Sequence, residues 1–235
     1  MKNRHSANLN LKLHYQATWH DYSVQASIDR PLVELYLWNI FKTMNYAVQE
    51  FPRTVVFRFD LRFPFYWPAV DTGVISRFFE SLCAKIEADL NRKARDGKRV
   101  HPNRVRYVWV KEINDSENLH YHVAILVNLD TYATLGKFRE NDADLWVDMP
   151  KDPKAEKHYG LGEMINSAFA SALRCEPYMV RGAVNFTRDG RYKIDKGSND
   201  YDDQFAAAFW RLSYLAKAET KSYGDWSNWF GSSRG

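Results

Sequence analysis

The residues best suited to chemistry are two histidines in the tripeptide His120-Tyr121-His122. The tripeptide opens an apolar, β-rich run at residues 121–127, and a similar run at residues 105–111 precedes it across a polar segment. Two such runs on either side of a polar turn predict a β-hairpin. Because side chains alternate across a strand, both imidazoles project from one face and Tyr121 projects from the other. Two imidazoles placed in this way can hold one metal ion.

Glu112 is the candidate for a third metal ligand. If Glu112 pairs with His120 across the hairpin, Val110 pairs with His122, and paired residues share a face. Two histidines and one carboxylate suit a divalent ion and leave coordination positions open for substrate oxygens. A His-x-His pair also arises by chance among ordinary core or surface residues, and that interpretation stays open here. A histidine-triad hydrolase is disfavoured by Ala124, and a two-His phosphoesterase by the histidine, rather than serine or threonine, at position 122.

A second candidate pair, Tyr214 and Lys217, lies near the C-terminal end of the chain. Residues 201–221 predict a helix behind Asn199 and Asp200 as capping residues, and side chains three positions apart share a helix face. A helix across the metal face would place the tyrosine beside a divalent ion, a pairing suited to nucleophilic attack on a phosphodiester. Lys217 would support the phenolate or the phosphate. The structural alternatives are a tyrosine packed on the sheet and a solvated lysine.

The remaining elements predict a single α+β domain, an antiparallel sheet with helices over one face. Residues 53–63 alternate between apolar and polar side chains, as in a strand with one buried and one polar face. Further elements are predicted as helices at 32–49, 71–95 and 159–175 and a strand at 179–187. In the helix at 32–49 the apolar stripe is Leu35, Trp38, Phe41 or Met44, and Val48. Residues 1–29 are expected to form an arm or loosely packed leader, 189–199 a charged loop and 222–235 a mostly polar tail.

Four arginines are predicted to contact DNA. Arg58 and Arg62 lie on the polar face of the strand at 53–63, and Arg104 and Arg106 continue a basic stretch into the hairpin. Phosphate contact is one use for such residues. An exposed charged face without function is the alternative.

The composition is that of a globular, mildly basic protein. The 235 residues carry a net charge of +4 and include 14 Tyr, 14 Phe and 8 Trp, which is compatible with a polyanionic partner. Cys83 and Cys175 follow no metal or redox spacing, which favours a reducing compartment. The N-terminus lacks the apolar core of a signal peptide, and no apolar run reaches the length of a membrane span. We therefore expect a cytoplasmic protein without membrane contact.

Three ordered motifs resemble those of the HUH endonucleases, which include rolling-circle replication initiators, relaxases and related transposases. His120-Tyr121-His122 resembles the metal motif, Tyr214-Leu215-Ala216-Lys217 resembles the Tyr-x-x-Lys motif, and residues 53–63 stand where the first motif strand is expected. Within that superfamily the chain is most similar to the gene-2-like replication proteins of filamentous phages, prophages and phage satellites. The segments that carry this similarity are FRFDLRFP, VWVKEIN, HYHVAI and LSYLAKAETKSY.

The resemblance implies an RRM-like or ferredoxin-like antiparallel sheet with the histidine pair on a central strand. It implies Mg²⁺ or Mn²⁺ at Glu112, His120 and His122, and Tyr214 as the nucleophile that nicks a single-stranded or hairpin origin. The 5′ end would stay on the tyrosine, and the free 3′-OH would prime synthesis with a host helicase and polymerase. The division implied is an arm and helix at 1–50, the endonuclease domain at 51–223 and a tail at 224–235. The chain departs from the two-tyrosine initiators, which carry a second nucleophilic tyrosine one helical turn away. Here Tyr214 stands alone in the second half of the predicted helix, and Tyr223 lies beyond it, so the resemblance does not imply termination by a second tyrosine.

Three other functions remain open at this level. A non-catalytic DNA-binding module of the same fold would need the basic residues and not the tyrosine. A relaxase or transposase would use the same chemistry on other DNA ends. An RNA-binding RRM-like protein would present exposed aromatic residues on its sheet, where this chain places Glu112, His120 and His122. The sequence sets neither the origin sequence nor the oligomeric state.

Overall fold

The computed structural model describes residues 3–64, 73–113, 119–136, 160–218 and 228–234. The elements are β1 (Arg4–His5), β2 (Asn8–His14), β3 (Thr18–Trp19), β4 (Tyr22–Ser23), β5 (Leu32–Val33), α1 (Glu34–Glu50), β6 (Arg53–Arg62), α2 (Val74–Arg95), β7 (Arg106–Ile113), β8 (Leu119–Asn128), α3 (Leu161–Leu173), β9 (Val184–Asp195), α4 (Tyr201–Ser213) and β10 (Phe230–Ser232), with 3₁₀ turns at Pro177–Val180 and Tyr214–Ala216. The α+β class is confirmed. Among the helices in the described ranges, none combines the length and hydropathy needed to cross a bilayer.

The described chain forms two compact units. The first contains residues 3–64, 101–131 and 182–234, with their undescribed gaps, and holds every strand of the main sheet. The second contains α2, α3 and the turn Pro177–Val180. In the second unit the predicted helix is present as α2, and its buried residues follow an apolar stripe, namely Val74, Ile75, Phe78, Phe79, Leu82 and Ile86.

The main sheet is antiparallel and five-stranded, in the order β10-β7-β8-β6-β9. All ten residues of β8 are buried, because this strand lies at the centre of the sheet. The predicted hairpin of β7 and β8 is confirmed, with Glu112 opposite His120 and Val110 opposite His122. Its turn at 114–118 lies outside the described residues.

The even-numbered face of the sheet carries a core shared with α1 and α4. Val56, Val110 and Ala124 from the sheet belong to one buried cluster with helix residues such as Leu37 and Phe209. Each large apolar side chain buried there contributes about 1.5–3 kcal/mol.

The predicted stripe of α1 is largely wrong. The buried side chains are instead Tyr36, Leu37, Ile40, Thr43, Met44, Ala47 and Val48. Leu35 and Trp38 are exposed, and only Met44 and Val48 of the predicted positions are buried. The sheet, α4 and β2 all contact α1, so its buried arc is wide and centred elsewhere.

The polar face predicted for β6 is present, but it is not exposed. Both faces are buried from Thr54 to Leu61, including Arg58 and Asp60, each 6% exposed. Alternation in the sequence therefore marks a change in chemistry between the two faces and not a change in solvent access.

The leader is packed, contrary to the expectation of a loose arm. Residues 3–33 form the sheet β1-β2-β5 and the hairpin β3-β4. Leu11, Trp19 and Val24 are buried in the same cluster as α1 and α4. The tail is likewise ordered where it is described, since β10 pairs with β7 and the Phe230 ring stacks on Tyr36 with centroids 4.2 Å apart.

The expected loop at 189–199 is mostly strand, because β9 continues to Asp195 beside β6. The register shifts between Phe57 and Phe59, and residues 187–190 bulge opposite Arg58. Gly190 is required at this bulge, since an added Cβ would lie 2.5 Å from the Arg58 carbonyl oxygen.

We expect Gly190→Ala to lower the free energy of unfolding by about 1–3 kcal/mol, because backbone atoms cannot move aside as a flexible side chain can. Urea denaturation measures the change. Gly197→Ala is the matched control, since its Cβ would meet only the Asp195 carboxylate at 3.5 Å, and a change within about 0.5 kcal/mol is expected there. Equal losses in the two variants would contradict the crowding argument.

Candidate functional site

Along the strands, the even-numbered sheet face changes from apolar to polar. Beyond Val56, Val110 and Ala124, the next positions on the same face are Arg58 and Asp60 on β6, Glu112 on β7, and His120 and His122 on β8. We call these five residues the polar half of the face. Each of the five is at most 7% exposed.

Glu112, His120 and His122 form a compact group of potential metal ligands. One ligand atom from each lies within 4.8 Å of the others. Glu112 Oε2 is 3.2 Å from His122 Nε2 and 3.8 Å from His120 Nε2, and the two imidazole rings are nearly perpendicular. The convergence of two imidazole nitrogens and a carboxylate oxygen in a buried site fits a divalent ion. The predicted ligand set is thus brought together.

Asp60 is a site residue that the sequence did not single out. β6 pairs with β8 so that Asp60 lies opposite His122, and the His122 Nδ1–H donates to Asp60 Oδ1 at 2.5 Å. Asn185 Nδ2 donates to the other carboxylate oxygen at 3.4 Å. A carboxylate behind a histidine fixes the ring so that Nε2 faces the ion. Only the pairing of β6 with β8, which is not local in sequence, could have revealed it.

Asp60 and His122 each stabilise the charged form of the other. Burial raises the pKa of Asp60, but the hydrogen bond and charge of His122, together with Arg58, hold that pKa below its ordinary value. Burial lowers the pKa of His122, but hydrogen bonds with Asp60 and Glu112 raise it overall. Without a metal ion, His122 is therefore favoured as an imidazolium between two carboxylates.

Tyr214 follows directly on α4, whose predicted end at about 221 is wrong. The α-helix ends at Ser213, and Tyr214 begins a 3₁₀ turn. Gln25 contacts the end of the helix: its Nε2 donates to the carbonyl oxygen of Trp210 at 2.9 Å, and its backbone N–H donates to Ser213 Oγ at 2.9 Å. These contacts satisfy carbonyl and hydroxyl groups at the helix end.

The residues after the turn are held by the N-terminal segment. Lys217 forms an isolated bridge with Leu32, and the Ala218 N–H donates to the Pro31 carbonyl oxygen at 2.9 Å. His5 Nε2 lies 3.1 Å from the Ala218 carbonyl oxygen. Residues 3–33 thus position the turn that carries Tyr214.

The structure brings Tyr214 and Lys217 to the polar half of the face. The Tyr214 ring meets the His122 ring edge-on, with centroids 5.5 Å apart. Lys217 Nζ donates to the Tyr214 hydroxyl at 3.4 Å, as their shared face predicts, and lies 4.6 Å from the ring centroid. Both side chains are half-buried, unlike the ligand group.

The four predicted DNA contacts divide into two groups. Arg58 lies in the polar half, and the exposed Arg62 stands opposite His120 on the same face. Arg104 and Arg106 lie away from the site: Arg106 begins β7, at the end of the strand opposite to Glu112, and Arg104 precedes the strand. Arg106 is buried and bonded to Glu50 at 3.0 Å and to the carbonyl oxygen of Arg234, so its side chain serves the fold. Arg104 is exposed and 3.7 Å from Glu50.

Comparison with known proteins places the chain in a family. It is 34% identical over 208 residues to the "Uncharacterized protein YagK" of Escherichia coli (strain K12), covering 85% of this chain and 92% of that protein. It is 28% identical over 214 residues to the "Uncharacterized protein YfjJ" of the same strain, covering 86% and 95%. No solved structure matches the chain. Residues 16–233 match the family model of the YagK/YfjJ C-terminal domain, and the chain belongs to that family.

Proposed function

We propose that this protein is a cytoplasmic, metal-dependent nickase of single-stranded DNA with the fold and chemistry of the HUH endonucleases. In this proposal it initiates rolling-circle replication of a phage, satellite or plasmid-like element. The observation that carries the proposal is the contact of the Tyr214 ring with His122, 5.5 Å between centroids, beside a converging group of two histidines and one carboxylate. The central position of β8 in an antiparallel sheet supports the same fold.

Glu112, His120 and His122 would hold Mg²⁺ or Mn²⁺. When bound, such an ion polarises the scissile phosphate and offsets its charge. Asp60 orients His122 through the Nδ1–H, and Lys217 holds the Tyr214 hydroxyl by its hydrogen bond. With its hydroxyl held by Lys217, Tyr214 supplies the oxygen that attacks phosphorus.

The reaction is a transfer between two oxygens. A bond forms between Tyr214 Oη and phosphorus, and the bond from phosphorus to the 3′ oxygen breaks. The phenol loses one proton and the leaving 3′ oxygen gains one, so the step is balanced. The product is a 5′-phosphotyrosine and a free 3′-OH.

The geometry favours single-stranded or extruded hairpin DNA as the substrate. The ligand group is buried and Tyr214 is half-buried, so a phosphate inside a stacked duplex cannot approach closely. Arg62 is an exposed cation on this face and is proposed to contact the DNA backbone. A host helicase and polymerase would then extend the free 3′ end.

The first experiment incubates the wild-type protein with a labelled pool of single-stranded origins from mobile elements and with Mn²⁺. We expect a covalent protein–DNA adduct that requires the metal, survives denaturing electrophoresis and maps to Tyr214 by peptide mass spectrometry. Binding of DNA without an adduct under Mn²⁺ or Mg²⁺ would refute the nickase and favour the DNA-binding module.

A further inference from the structure

Arg58 lies in the polar half without a role in the reaction as described so far. Its side chain is 6% exposed, and its guanidinium carbon lies 5.2 Å from the centroid of the Tyr214 ring. This distance is within the range of a cation–π contact. The Tyr214 ring is therefore bounded by Arg58, the Lys217 ammonium and the edge of His122.

Arg58 is poorly placed to serve as an ion-pair partner. Its Nη2 lies 3.5 Å from Asp60 Oδ1, longer than the roughly 2.7–2.9 Å of a strong charge-assisted bond. Asp60 already accepts hydrogen bonds from His122 and Asn185. The 3.4 Å approach of Nη2 to His122 Nδ1 joins two donors, because that nitrogen gives its hydrogen to Asp60.

Burial of this guanidinium is unfavourable for stability. Its Nε is buried with no hydrogen-bond partner among the residues that the structure describes. Burial is the largest influence on the pKa of Arg58 and holds it below its ordinary value; Asp60, Tyr214 and Glu112 favour the cation, and Arg211 opposes it. A buried charge with incomplete hydrogen bonding costs free energy. Despite this cost, β6 is fixed at Arg58 by the bulge of β9, where Thr187 Oγ1 donates to the Arg58 carbonyl oxygen at 3.3 Å.

We infer that Arg58 is a positioning residue for the nucleophile: it holds the Tyr214 ring in line with the ligand group. This inference rests on the proposed nickase function. Tyr214 begins the 3₁₀ turn that follows α4, and the contacts of Lys217 and Ala218 with the N-terminal segment hold the backbone there, but the orientation of the Tyr214 ring needs a restraint of its own. The guanidinium over the ring supplies that restraint, and a displacement of about 1 Å at a reacting group costs about 10²-fold in rate.

The rate test compares Arg58→Met, which keeps the length of the side chain, with Arg58→Lys, which keeps the charge. At saturating DNA and Mn²⁺ we expect the rate of adduct formation to fall by about 10²-fold in Arg58→Met and by less in Arg58→Lys. The affinity for Mn²⁺, measured by calorimetry without DNA, is expected not to fall in either variant, because neither removes a ligand and Arg58→Met removes a cation beside the ligand group, and the affinity for DNA is expected to match the wild type. Arg53→Gln is the control on the same strand, since Arg53 makes surface ion pairs with Asp130 and Asp195, and no change in rate is expected.

A second test measures the coupling between Arg58 and the Tyr214 ring through protein stability, so it does not require nicking activity. The shift in urea midpoint caused by Arg58→Met is measured in a Tyr214→Phe background, which keeps the ring, and in a Tyr214→Leu background, which does not. We expect the larger shift where the ring is present.

Four results would overturn the inference: equal shifts in the two backgrounds, a wild-type rate in both Arg58 variants, a rate restored by excess Mn²⁺, or failure of both variants to fold. The last two assign Arg58 to the metal group or to stability. Failure of the nickase proposal is distinct, because it appears as a wild-type protein that forms no adduct.

Discussion

Replacing the Tyr214 hydroxyl by hydrogen in Tyr214→Phe is expected to abolish the covalent adduct, a loss of about 10³-fold or more in rate. No other described tyrosine hydroxyl contacts Lys217, and phenylalanine carries no oxygen to form the phosphodiester. The phenyl ring can still meet His122 and Arg58, so the metal group and the fold should be unaffected. The measurement is denaturing electrophoresis of labelled DNA after incubation with Mn²⁺.

The matched control is Tyr201→Phe, at the start of the same helix. Tyr201 packs against Phe205 in the core cluster and lies away from the polar half, so adduct formation should equal the wild type. Mn²⁺ affinity and DNA affinity of Tyr214→Phe are measured in parallel to show that only the chemical step is lost. An adduct that persists in Tyr214→Phe would move the nucleophile elsewhere, with Tyr223 as the next residue to replace.

The part of the site that lies within one hairpin is predictable from sequence. The side chains of a strand alternate with a period of two, so a single assumed pair, Glu112 with His120, fixes the face of every other residue in β7 and β8. The structure has that pair. The geometry of the three potential ligands follows from local rules alone.

The features of the site that depend on contacts between distant segments could not be predicted from the sequence. Asp60 reaches His122 only because β6 pairs with β8, and neither segment carries a signal for its partner. The end of α4 at Ser213 is contacted by Gln25, 188 positions earlier in the chain. The apolar period of the sequence continues past Ser213, so the sequence by itself predicts a longer helix.

The buried face of a helix is also set by what surrounds it. Leu35 and Trp38 follow the helical period, but the sheet and α4 contact the arc that contains Leu37 and Ile40. Both arcs are apolar, so periodicity cannot choose between them. The same holds for the leader, where Trp19 is buried by rings from α1 and α4 that lie far away in sequence.

The loss of Mn²⁺ binding in His122→Ala is the second large effect that we expect. The substitution removes one of three converging ligands and leaves Asp60 and Glu112 without the imidazole between them. Neither Mn²⁺ heat of binding nor adduct should be detectable at concentrations that saturate the wild type. His101→Ala is the control, since the contact to His101 from Thr131 is to its backbone carbonyl oxygen and survives the change.

The pH dependence of the wild type gives a sharper test of the same site. The pKa of His122 is raised by its hydrogen bonds with Asp60 and Glu112, so its Nε2 carries a proton at pH values where a free imidazole does not. A metal ion must displace that proton. The affinity for Mn²⁺ is therefore expected to rise by up to about tenfold per pH unit below the raised pKa and to level off above it.

The pH dependence of stability should differ between the two states of the protein. In the metal-free protein, the raised pKa of His122 stabilises the fold fully below about pH 6.5, and that contribution is lost as pH rises through the folded pKa. The slope is at most about 1.4 kcal/mol per pH unit for one proton. With Mn²⁺ at saturation, His122 stays a neutral imidazole in the folded state, so stability should rise with pH below about pH 6.5 and stay level above it, where tighter Mn²⁺ binding offsets the loss seen in the metal-free protein. Thermal unfolding across pH with Mn²⁺ or a chelator measures both slopes.

His122→Ala should remove the difference between the two slopes. A wild type whose two curves run parallel would show that His122 does not exchange its proton for a metal ion.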